Sequence, residues 1–119
     1  MAYFAFEYVQ DGEVDGGKEF VIELRNDKLI AHARELLSGK TTEAPHISGR
    51  IKKTQAPYNQ AYSFHLDPES IDFFNEAIED GDASPQFVEE HLDEVGGAFL
   101  PGRWTPLGSR LTREVTPSR

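Results

Sequence analysis

The sequence predicts an α+β fold: a single domain over residues 1–119, with an antiparallel sheet of four to five strands packed by about three helices in the order ββαββααβ. Three observations predict it. Tyr3–Val9 and Glu19–Leu24 alternate or cluster aromatic and β-branched residues on either side of a Gly/Asp-rich turn. Helix-start signals recur at Asn26 or Asp27, at Asp67-Pro68 and at Ser84-Pro85. No linker or internal repeat divides the 119 residues, a length suited to one core.

Taken in order, Tyr3–Val9 is the first strand, Gln10–Lys18 the turn and Glu19–Leu24 the second strand of a hairpin. A helix follows to about Ser38, with Leu29, Ile30, Ala33, Leu36 and Leu37 on one apolar face and Gly39 as its stop. His46–Thr54 is the third strand and Ala61–Leu66 the fourth, the latter with Tyr62, Phe64 and Leu66 on a single face. Asp67-Pro68 opens a helix expected over 68–79, with Ile71, Phe74, Ala77 and Ile78 inward. Ser84-Pro85 opens another, expected to reach 95, with Phe87, Val88, His91, Leu92 and Val95 as its apolar stripe and Gly96-Gly97 as its stop. Two prolines keep 98–108 from being helical, and Ser109–Val115 reads as a final edge strand.

The formal net charge is −9 and unevenly placed. Residues 1–60 hold 8 basic and 9 acidic side chains, whereas 61–119 hold 4 and 12. Between Asp67 and Glu94 there are 11 acids and no Lys or Arg. Such a surface repels nucleic-acid phosphates and anionic membranes, so neither is an expected partner. The face over 67–94 is expected to be a solvated helical surface, with docking of a basic partner or of cations as the sharper alternative. There is no cysteine, which excludes disulfides and thiolate metal sites. No apolar run reaches the length of a membrane span, and the stretch MAYFAFEYVQDGE lacks the basic n-region of a signal peptide. A soluble, cytoplasmic protein is therefore expected.

Few constellations carry chemistry. Asp11, Glu13, Asp15 and Gly16 match positions 1, 3, 5 and 6 of a calcium loop, but position 12 is Ile22 and the flanks read as strands. A polar hairpin turn is the plainer account, with Asp11, Glu13 and Asp15 kept as calcium candidates. His32, His46, His65 and His91 form no HxxxH or HExxH pair, and a His46–His65–Asp67 zinc site would require tertiary convergence. No nucleophile elbow, P-loop or dinucleotide fingerprint is present, so no catalytic residues and no cofactor are assigned. Two loops stand out for binding: Gln55–Gln60, with Tyr58 and Asn59, and Ala98–Gly108, with Phe99, Arg103 and Trp104 flanked by prolines. Aromatic residues and Arg dominate binding hot spots, and proline reduces the entropy lost on docking.

The stretch from His46 to Leu111, with SFHLDP at 63–68 and HLDEVGG at 91–97, resembles a family of small bacterial proteins. Its pattern runs H-x-x-G-x-I, Y-N-P-x-W-S-F-H-L-D-P, C-D-A, V-E-x-H-L-D-E-x-G-G and W-C-P-W. The upstream FVIELRNDKLIAHARELLSG resembles the same family's opening strand and helix. Some members carry the name calmodulin, and a eukaryotic relative is associated with serine-protease inhibition. Gly81 and Thr105 stand at the pattern's two Cys positions, Tyr62 at its first Trp and Leu107 at its last, so the bridge the resemblance implies is absent here. The resulting expectation is a small acidic, non-enzymatic binding module, serine-protease-inhibitor-like, acting on a protein partner such as a protease. The alternative is a calcium- or cation-binding protein using the Asp11–Gly16 turn or the acidic face. A weaker alternative is a small metal-dependent hydrolase.

Overall fold

The structure is a computed structural model that describes residues 1–14, 18–75 and 81–116. It is α+β with antiparallel sheets, as expected, but the elements are apportioned differently. The central strand is β1 (Ala2–Gln10). It turns back at Asp11 and Gly12, both with positive φ, into β2 (Glu13–Val14). Two consecutive left-handed residues, Asp then Gly, are what a tight hairpin needs to match the strands' twist. The chain continues into β3 (Phe20–Leu24), which pairs with β1 from Ala2↔Leu24 to Phe6↔Phe20. The hairpin is thus present, with its turn confined to two residues.

The helix α1 (Asp27–Ser38) starts and stops where its sequence says. Asn26 Oδ1 accepts from the backbone N–H of Lys28 (2.8 Å), and Gly39 at φ 79 ends the helix in the left-handed conformation. The expected edge strand is β8 (Ser109–Val115), and it lies antiparallel against β1, from Tyr3↔Val115 to Tyr8↔Ser109, with a register shift between Ala5 and Phe6. Two forked ion pairs fasten it: Arg34 on Glu114 (3.0 and 2.9 Å) and Arg113 on Glu19 (3.0 and 2.9 Å). The Arg113 and Thr112 hydrogen bonds hold the Glu19 carboxyl below its ordinary pKa, and the Arg34 bonds do the same for Glu114.

The third and fourth expected strands do not join this sheet. His46–Thr54 is split into β4 (His46–Ser48) and β5 (Ile51–Lys52). Between them Gly49 exchanges both backbone hydrogen bonds with Trp104 (3.0 and 2.7 Å). In 61–66, Tyr62, Phe64 and Leu66 all face inward as expected, but only β6 (His65–Leu66) is laddered, against β5. Side chains take the remaining backbone groups: Asn59 Nδ2 donates to Phe64 O (3.0 Å), and Glu89 Oε1 accepts from Ser63 N–H (2.6 Å).

The helix expected over 68–79 is corrected. Residues 68–70 form a turn and 72–74 form the strand β7 (Asp72–Phe74), paired antiparallel with β4 from His46↔Phe74 to Ser48↔Asp72. Ala77 and Ile78 lie outside the described residues. Asp67-Pro68 does cap, but it caps a turn. Asp67 Oδ1 accepts from Glu69 N–H (3.1 Å), while Ser70 Oγ donates to Asp67 O (2.8 Å) and accepts from Arg50 N–H (2.8 Å). Those bonds close the turn on the neighbouring strand, and Ile71, Phe73 and Phe74 favour extended backbone. The last helix is also shorter than expected. α2 spans Pro85–Glu90, capped by Ser84 Oγ, and gives way at His91 (φ −123) to a 3-10 turn at Leu92–Glu94.

The core gathers on one face of the large sheet. Phe4, Phe6, Phe20, Ile22 and Leu24 pack against Ile47, Tyr62, Phe64, Val88 and Trp104. Trp104 is fully buried, with its ring 5.3 Å from Phe20 and 5.6 Å from Phe64, and its Nε1–H donates to Ala83 O (2.8 Å). Gly81 and Thr105 face each other directly. A Cβ at Gly81 would lie 2.5 Å from Thr105 Oγ1, and Thr105 N–H donates to Gly81 O (2.8 Å). The two positions that the resemblance assigns to a bridge are in contact, and glycine lets the two backbones close up without one. Among the described residues no helix is long and apolar enough to cross a membrane.

Candidate functional site

The segment 96–105 is held at both ends. Gly96 N–H donates to Phe99 O (2.9 Å) and Leu100 O (3.1 Å), and Trp104 and Thr105 are tied to Gly49 and Gly81. Leu100 is buried at φ 46. Between these anchors Pro101, Gly102 and Arg103 are exposed. A cleft of 670 Å³ separates this loop from the turn and strand at 69–74. Its apolar walls are Ile71, Phe73 and Phe74 on one side and Leu100 and Pro101 on the other.

Arg103 lies in that cleft with its side chain folded back. Its Nε donates to Ser48 Oγ (2.9 Å) and its Nη2 to Ser70 O. Ser48 is itself buried in β4, and Ser70 is fixed by the Asp67 turn. Two bonds hold the guanidinium's orientation, and its Nη1 has no protein partner among the described residues. A held planar fork of this kind suits carboxylate or another oxyanion. Glu69 and Asp72 also line the cleft, so its polar character is mixed. Sequence reasoning singled out Arg103 but not Ser48 or Ser70. Ser70 carried a faint signal, three residues after a turn-forming Asp, while Ser48 comes near only through the fold.

The other expected contact residues are dispersed. Trp104 and Asn59 are interior and cannot contact a partner. Asn59 Oδ1 accepts from Val21 N–H (2.9 Å) and its Nδ2 donates to Phe64 O, so it joins β3 to the segment before β6. Tyr58 is half-buried, with its ring centroid 5.1 Å from Tyr3 and 6.2 Å from His65. Burial, with the nearby Glu23 carboxylate adding to it, pushes the Tyr58 phenol up to about 12. A phenol whose pKa is raised on folding contributes stability that is complete below the unfolded value near 10 and is lost as pH rises from 10 to 12. Tyr58 is therefore expected to ionise late in an ultraviolet titration, and Tyr58→Phe should lower the late absorbance change by one tyrosine. A titration unchanged in Tyr58→Phe would refute the assignment.

The described metal candidates lie on separate elements. Asp11 sits on the two-residue turn, Glu13 is in β2 paired with Gln10, and Asp15 lies outside the described residues. His46 belongs to the β4–β7 ladder and His65 to the β5–β6 ladder, where His65 Nδ1 is 2.6 Å from Thr54 O. His91 Nδ1 is 2.9 Å from Phe87 O. Among the described residues no group of three or more His, Asp or Glu could hold a metal ion.

The family model described as the BP-74 N-terminal domain matches residues 1–118, and the chain belongs to that family. No curated protein and no solved structure matches it.

Proposed function

We propose that this chain is a small acidic, non-enzymatic binding module whose recognition element is the 100–105 loop and the cleft behind it. The observation that supports this most is Arg103. Its guanidinium is oriented by Ser48 and Ser70 within an open cleft that also presents Ile71, Phe73, Phe74, Leu100 and Pro101. That combination suits a polypeptide segment that brings a carboxylate to Arg103 and apolar side chains to Phe73, Phe74 and Pro101. Orienting the cation beforehand reduces what docking would otherwise cost in side-chain entropy.

A serine-protease-inhibitor-like action is the second reading, favoured by the firm anchoring of the loop at Gly96, Trp104 and Thr105. It requires Arg103 to leave Ser48 and Ser70 and project into a protease pocket, whereas the cleft reading uses Arg103 where it lies.

Amide chemical shifts should report the difference. Short Leu- and Phe-containing peptides with a free C-terminal carboxylate are expected to perturb residues 70–74 and 100–105 more than amidated ones. Arg103→Ala should weaken that binding about tenfold or more, the worth of a charge-assisted hydrogen bond. Equal response to both peptide types, or indifference to Arg103→Ala, would overturn the cleft reading. Stoichiometric inhibition of trypsin-like or subtilisin-like proteases that disappears in Arg103→Ala would favour the second reading, and no inhibition would remove it.

A further inference from the structure

A second surface lies on α2 and the loop that follows it. The apolar stripe expected along this helix does not all turn inward. Val88 and Val95 enter the core, but Phe87 is 46% exposed. It is exceptional, for the other exposed large apolar residues among those described are only Met1 and Val14. The reason is local. Val88 takes the inward position of the short helix, and Phe87, about 100° around the axis, is left outside. There it joins a small aromatic group. His91 stacks on it with centroids 4.1 Å apart and 22° between planes, and Phe99 meets it edge-on at 5.4 Å. Phe99 is in turn fixed by its backbone to Gly96 and Glu94.

The charge around this group is of one sign. Glu90, Asp93 and Glu94 are exposed, and their side chains make no hydrogen bond or ion pair among the described residues. Most of the neighbouring acids are occupied. Asp82 Oδ1 accepts from Tyr8 O–H and Leu107 N–H, Glu89 from Ser63 N–H, Asp67 from Glu69 N–H, and Asp72 from Phe73 N–H. Residues 54–102 contain no Lys or Arg. Among the described acids of 67–94, the ones left without partners therefore lie on α2 and its 3-10 continuation, beside the exposed aromatic group, with no Lys or Arg in the same stretch to balance them.

We infer that the Phe87–His91–Phe99 surface with Glu90, Asp93 and Glu94 docks an arginine-bearing segment of a partner protein. A guanidinium is the group that satisfies both parts of it: its plane stacks on an exposed aromatic ring, and its N–H fork pairs with carboxylates. A second copy of this chain is a poor occupant, since it brings a net charge of −9 to an acidic face. This surface shares no residue with the Arg103 cleft, so the two readings stand or fall separately.

The probe is a fluorescently labelled peptide of alternating Arg and Leu, read by anisotropy against the full chain, with a Glu-Leu peptide as control. The Arg peptide is expected to bind, and to bind more weakly as ionic strength rises from 0.01 to 0.15 M, where the screening length shrinks from about 30 to about 8 Å. Phe87→Ser changes an exposed side chain and should leave the fold intact, yet weaken binding roughly five- to tenfold. Glu90→Lys should weaken it independently of any change in apolar packing, and Arg103→Ala should not affect it. Absence of binding, binding equal in Phe87→Ser and Glu90→Lys to that of the parent, or binding of the Glu-Leu peptide as strong as that of the Arg peptide would overturn the inference.

Discussion

Replacing Trp104 by alanine is expected to destabilise the fold by about 3–5 kcal/mol, the range for truncating a fully buried Trp or Phe. The ring lies against Phe6, Phe20 and Phe64, and its indole N–H is the donor to Ala83 O. The backbone of the same residue exchanges two hydrogen bonds with Gly49, so the side chain also fixes where the 100–105 loop meets β4. At roughly 4 °C per kcal/mol for a chain of this size, the melting temperature should fall by on the order of 15 °C. Trp104→Phe keeps most of the apolar volume and loses the hydrogen bond, so it should cost distinctly less. Thermal melts followed by far-ultraviolet circular dichroism, which does not depend on the lost fluorophore, are the check. A Trp104→Ala protein that melts within a few degrees of the parent would mean that the core does not rest on this residue.

Replacing Asn59 by alanine is the second large effect, expected at about 2–4 kcal/mol from the two backbone groups it would strand. The side chain removes little apolar area. What it does is satisfy two main-chain groups, the N–H of Val21 in β3 and the carbonyl of Phe64 next to β6. Each buried backbone group left without a partner costs about 1–3 kcal/mol, and no other side chain bonds either of them among the described residues. Asn59→Asp is the informative companion, because a carboxylate still accepts from Val21 N–H but cannot donate to Phe64 O, and it brings a buried charge. Denaturant unfolding should place both variants well below the parent. Asn59→Ala at parental stability would show that water replaces both bonds.

These two residues also mark where sequence reasoning stopped short. Asn59 and Trp104 read as loop residues of the kind that contact partners: Asn beside Pro57 in a polar turn, Trp between two prolines. Both are interior. Residue type and local composition describe a loop's backbone freedom and not its depth, and here each loop sends one side chain into the core. Phe87 is the converse case, an apolar residue on a helical stripe that reached the surface because Val88 takes the inward position of the short α2. Arg103 is a loop candidate in the sequence, and the fold draws its side chain back along the cleft through Ser48 and Ser70.

What the amino-acid sequence determined by itself is what short-range stereochemistry controls. The β1–β3 hairpin follows from alternation around an Asp-Gly pair, α1 from an Asn cap and a left-handed Gly39, the start of α2 from Ser84-Pro85, and the inward face of Tyr62, Phe64 and Leu66 from their period of two. The tertiary structure decided which strands pair and where backbone hydrogen bonds go. Gly49 is diverted to Trp104, the Asp67 turn is closed by Ser70 on Arg50, and 72–74 is claimed by β4, so a helix-start signal ends as a turn and a strand. The physical reason is that a cap or a turn bond is worth about 1 kcal/mol. Partners distant in sequence, by burying Ile71 and Trp104, outweigh it.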